Sequence, residues 1–147
     1  MKLKIALAAA AVAIFGVGAA VAAGEPQAVR QEMMKQVGGA LGALGAIAKG
    51  EKPYDAAVVQ ASLTKLSEVG KAFPDQFPAG SETGMDTEAS PKIWENMADF
   101  KAKSAALASA ADTQLAAMPA DQAGVGAAMK AIGGTCGDCH QTYRLKK

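Results

Sequence analysis

Near the end of a 147-residue chain stand its only two cysteines and its only histidine, gathered in the run Cys136-Gly137-Asp138-Cys139-His140. Two sulfur nucleophiles followed at once by an imidazole admit several chemistries. Structural zinc takes four ligands, usually Cys and His, and this chain has too few. A thioredoxin-like pair would adjoin a βαβ pattern, which the sequence lacks. A disulfide across so short a loop gains little, and a lone core histidine would not explain why His140 adjoins the thiols. The pattern that remains is C-x-x-C-H, the attachment signature of a c-type haem. On a helix, residues three and four apart share a face. Both thiols then reach vinyl groups on one porphyrin edge, and His140, four residues after Cys136, points at the iron.

Four amphipathic segments position these side chains. From Pro26 to Lys49, apolar residues recur at Met34, Val37, Leu41, Leu44 and Ala48, one helical stripe that starts at a proline and stops at Gly50 and Pro53. Asp55 caps a second stripe of Val59, Leu63, Leu66 and Phe73. Residues 73–90 break the pattern with prolines and glycines and read as a loop. Ser90 and Pro91 open a third helix through Ile93, Met97, Phe100, Ser104, Leu107 and Ala111, ending before Pro119. Asp121 caps a fourth, whose face runs Val125, Met129, Ile132, Cys136, Cys139 and Tyr143. No segment alternates with period two for long enough to form a strand. The expected fold is all-α, an antiparallel up-down-up-down four-helix bundle with covalent haem near the C-terminus.

The N-terminus is of a different kind. Lys2 and Lys4 precede an uncharged run from Ile5 to Val21 that exits through small residues before Gly24, the pattern of a cleaved signal peptide over 1–23. An uncleaved anchor is the competing reading of so long a run, and its alanine richness and small-residue exit argue against one. The mature domain, 24–147, keeps 13 basic against 14 acidic residues, so it carries no basic patch for nucleic acid and steers partners weakly. No paired carboxylates, no nucleophile with a base and no phosphate loop suggest an enzyme.

Three stretches, residues 44–55 (LGAIAKGEKPYD), 90–94 (SPKIW) and 136–144 (CGDCHQTYR), make the chain resemble the class II cytochromes c, the group of cytochrome c′ and the low-spin cytochromes c-556. The resemblance covers essentially the whole mature length and implies one haem c, with His140 as the proximal iron ligand. Met34 falls where the c-556 group has its axial methionine, and a His/Met site favours electron transfer. In some cytochromes c′ the equivalent side chain only packs on the ring, leaving five-coordinate iron open to NO or CO. The resemblance further implies Arg30 beside a haem propionate, a solvated arginine being the competing reading, and Arg144 flanking the proximal ligand. Phe73 and Trp94 read as core packing that includes the ring edge. The expectation is a single-electron carrier of the periplasm, monomer or homodimer, not membrane-spanning once mature, working with redox partner proteins.

Overall fold

The computed structural model describes residues 25–146; the expected signal segment, 1–23, lies outside them. Helix α1 (Pro26–Ala48) begins where Pro26, which has no N–H to leave unpaired, takes a first-turn position. It ends at Gly50, whose φ of 75° is the left-handed conformation that glycine adopts without strain. Its buried residues are Gln27, Arg30, Val37, Ala40, Leu44 and Ile47. Met34 and Leu41 are half-buried on one edge of that stripe, so the core axis is rotated from the line through Met34 and Leu41 that the apolar spacing suggests.

Helix α2 (Ala56–Ala72) starts on Asp55, whose carboxylate accepts from Ala57 N at 2.9 Å and Val58 N at 3.2 Å. Val59, Leu63, Leu66 and Val69 form its inner face. A short 3-10 turn, Phe73–Gln76, leads into the loop. The third expected helix is two: α3 (Lys92–Glu95) and α4 (Met97–Ala116). The break is at Asn96, which leaves helical geometry (φ −138°, ψ 61°) and accepts from Asp99 N at 3.3 Å, a side-chain cap competing with the helix. Helix α5 (Gln122–Tyr143) starts on Asp121, which accepts from Gly124 N at 2.8 Å.

Around the bundle α1 packs on α2 and α5, and α4 packs on α2 and α5. Helices α2 and α4 approach closely at Gly70, where an added Cβ would lie 2.8 Å from Ala108 N. Ser104 Oγ donates there to Gly70 O at 2.8 Å. One part of the core is aliphatic, with Leu44, Leu63, Leu66 and Ile132; the other, at the α3 end, holds Phe77, Ile93, Phe100 and Tyr143. The loop is tied to the end of α5 by Ser90 N donating to Tyr143 O at 3.0 Å and Leu145 N donating to Glu88 O at 2.8 Å, around an isolated Ala89–Arg144 bridge. Among the described residues no helix is long and apolar enough to cross a membrane.

Candidate haem site

The last two turns of α5 carry Cys136, Cys139 and His140, and the helical spacing turns all three to one cavity of about 610 Å³. Both thiols are free and half-buried. Burial pushes both above the ordinary thiol range, with Lys103 opposing that rise at Cys139. Partial burial lowers the His140 pKa and Arg144 adds to the effect, with Glu88 acting in the opposite direction, a balance that favours the neutral imidazole, the form that ligates a metal.

Arg144 lines the cavity one turn beyond His140, and its Nε donates to Glu88 Oε2 at 2.6 Å. Tyr143, also in the wall, donates through its hydroxyl to Asp99 Oδ2 at 2.6 Å and sets its ring edge-on to Phe100 at 5.3 Å. The carboxylate acceptor pushes that phenol up to about 12.

The facing wall comes from α1. Met34, Gly38 and Leu41 line the cavity on the edge of the helix stripe, together with the buried Val37. Arg30, one turn before Met34, is 5% exposed. Its Nη2 donates to Ser81 O at 2.7 Å and its Nε to Pro26 O at 3.2 Å, while the guanidinium lies 4.5 Å from the centre of the Phe77 ring. Burial lowers its pKa, with Glu82 acting in the opposite direction. Arg30 Nη1 is buried with no hydrogen-bond partner among the described residues.

The structure thus brings Met34, Arg30, Phe73, Cys136, Cys139, His140 and Arg144 to one cavity. Trp94 is not in its wall. The indole lies behind Phe77, ring centres 5.6 Å apart, and its Nε1 donates to Pro78 O at 3.2 Å, which makes it a support of the loop. Gln27, Gln31 and Tyr143 also line the cavity and were not singled out as site residues from sequence. Gln27 and Arg30 are three apart on one helix, a spacing that placed them on one face.

A haem fits what is here. The wall is mostly apolar, as a flat hydrophobic ring requires. Two thiols and an imidazole stand in helical register, and Arg30 brings to the wall a cation that suits an anionic carboxylate at the ring periphery. Residues 25–144 match the family model for cytochrome c′. The chain is 59% identical to a cytochrome c-556 of Agrobacterium fabrum over 147 residues, covering 100% of this chain and 99% of that one. It is 43% identical to a cytochrome c′ of Rhodopseudomonas palustris at the same coverage. Among solved structures, cytochrome c′ from Rhodopseudomonas palustris superposes with a TM-score of 0.79 at 40% identity, covering 84% of this chain and 98% of that chain. The chain belongs to the cytochrome c′ family, whose proteins hold a covalently attached haem c with its iron.

Proposed function

We propose that the chain is a single-electron carrier of the periplasm in which His140 and Met34 are the two axial ligands of the haem iron. The haem supplies a reversible one-electron change at that iron. The chain's residues supply the rest. Cys136 and Cys139 anchor the ring through thioether bonds, so the group cannot be lost by dissociation outside the cell. His140 would hold the iron through its imidazole, and a thioether ligand from Met34 would favour a low-spin state suited to electron transfer. Val37, Leu41 and Phe73 keep water from the ring, and Arg30 neutralises a carboxylate.

One observation carries the reading: Met34 and His140 stand in the wall of one cavity, on two different helices that pack together. The name c-556 of a 59% identical relative agrees with it. Export through residues 1–23 and redox proteins as partners belong to the same proposal. The rival is five-coordinate iron that binds NO or CO, favoured by the 43% identical cytochrome c′ and by the apolar Val37 and Leu41 beside Met34.

The optical spectrum of haem-loaded protein separates the two. The proposal expects a low-spin spectrum with the weak sulfur-to-iron band, lost in Met34→Ala, which becomes high-spin and binds CO when reduced. A wild-type spectrum already high-spin, or one unchanged by Met34→Ala, contradicts it.

A further inference from the structure

The chain has two tyrosines, and they are built into it differently. Tyr143 is 4% exposed, stands three residues beyond His140 on α5 and lines the cavity. It belongs to the aromatic part of the core, against which Cys139 packs. Phe100 meets its ring edge-on at 5.3 Å, and Phe77 meets Phe100 at 4.7 Å. Its hydroxyl donates to Asp99 Oδ2 at 2.6 Å, the length of a charge-assisted O–H···O⁻ bond. Tyr54 is 36% exposed, is not in the cavity wall and donates to a backbone carbonyl, Pro119 O, at 2.8 Å. A carbonyl cannot take up the proton; a carboxylate can.

Simple ionisation of Tyr143 is unfavourable, because the bond to Asp99 and burial push the phenol up to about 12. Loss of an electron reverses this. An oxidised phenol is a strong acid, and a base already in hydrogen-bond contact takes its proton as the electron leaves. Building on the reading that this cavity holds a haem, we propose that Tyr143 is a second one-electron donor, used when the reduced protein meets hydrogen peroxide, with Asp99 as the acceptor of the phenol proton.

Peroxide takes two electrons and a single-electron carrier holds one, so iron acting alone would release a hydroxyl radical. With Tyr143 both electrons are at hand. As the O–O bond breaks, one electron comes from the iron, which passes from ferrous to ferric. The other comes from Tyr143, whose O–H bond breaks to leave a neutral phenoxyl while the proton moves to Asp99 Oδ2. Two protons from solvent complete two waters. The next electron from a redox partner restores the phenol, and Asp99 returns the proton. The surroundings suit a radical that must wait for that electron. Phe77 and Phe100 are harder to oxidise than a phenol. Trp94, which meets Phe77 at 5.6 Å, gives its indole hydrogen bond to Pro78 O, again a carbonyl.

Freeze-quench electron paramagnetic resonance tests this, on reduced haem-loaded protein mixed with one equivalent of hydrogen peroxide. Wild type is expected to give an organic radical whose line narrows when its tyrosines are ring-deuterated. Tyr143→Phe keeps the ring against Phe100 and loses the signal, while Tyr54→Phe retains it. Asp99→Asn keeps a hydrogen-bond acceptor and removes the base, so its radical forms on the order of 10²-fold more slowly. Met34→Ala opens the sixth position and gives the same radical faster. A wild type that peroxide leaves reduced, or oxidises without a tyrosyl signal, overturns the proposal. So does equal yield in Tyr143→Phe, or an unchanged rate in Asp99→Asn. Should Tyr143→Phe fail to fold, the deuterated wild type, Tyr54→Phe and Asp99→Asn decide the matter. The optical spectrum before mixing separates the two failures. Protein without a haem spectrum overturns both this proposal and the reading it rests on, whereas haem-loaded protein that gives no tyrosyl radical contradicts only the role of Tyr143.

Discussion

Tyr143 is fixed by what its hydroxyl touches. Asp99 accepts its proton at 2.6 Å and holds the phenol protonated from its ordinary 10 up to about 12. A folded-state pKa raised above the unfolded one means that the contribution is fully present below pH 10 and is lost as pH rises towards 12. Tyr143→Phe should therefore be less stable than wild type at neutral pH, with the gap closing between pH 10 and 12 when urea midpoints are compared. A gap constant across that window would show that the bond to Asp99 is not its source. At this scale the placement of Cys136, Cys139 and His140 on one cavity was legible, since they lie within one short motif whose helical spacing puts them on one face. Gln27, Tyr143 and Trp94 were not, because their partners Thr83, Asp99 and Pro78 lie 56, 44 and 16 positions away and nothing local announces them.

Helix packing divides the glycines by what surrounds them. Gly70 is required: an added Cβ would meet Ala108 N at 2.8 Å and Ala108 Cβ at 3.0 Å, where α2 packs on α4. Gly39 lies on the outer face of α1, with no atom within 4 Å of an added Cβ among the described residues. Gly70→Ala should cost about 1–3 kcal/mol through overpacking, whereas Gly39→Ala should gain about 1 kcal/mol of helix propensity. Guanidinium unfolding of the pair reads both signs, and equal effects would contradict this division.

Asn96→Ala should cost about 1 kcal/mol by removing the cap of α4, measured in the same way. Helix starts at Asp55 and Asp121 were readable because a capping carboxylate followed by an apolar stripe is a local signal. The break at Asn96 was hidden because the stripe from Ile93 through Phe100 runs across it with unchanged spacing.

For the whole molecule, the bundle was visible in the sequence as four stripes and short connections, and its helices pack in the ring that such an order implies. What the stripes do not contain is the arrangement of residues 77–91, whose ties to α1 and to the end of α5 run mainly through backbone carbonyls, with the Arg144–Glu88 ion pair beside them. The near balance of acidic and basic residues also acts at this scale. Electron exchange with small charged reagents should change little with ionic strength, since no strong field of either sign steers the encounter; a steep salt dependence in stopped-flow rates would contradict that.

Everything rests on a porphyrin joined to α5 through two sulfurs. Peptide mass mapping of the exported protein, from cells able to mature c-type cytochromes, addresses this directly. One haem mass is expected on the peptide that contains Cys136 and Cys139, retained under denaturing conditions and absent when both are replaced by alanine. An unmodified peptide with two free thiols would contradict it.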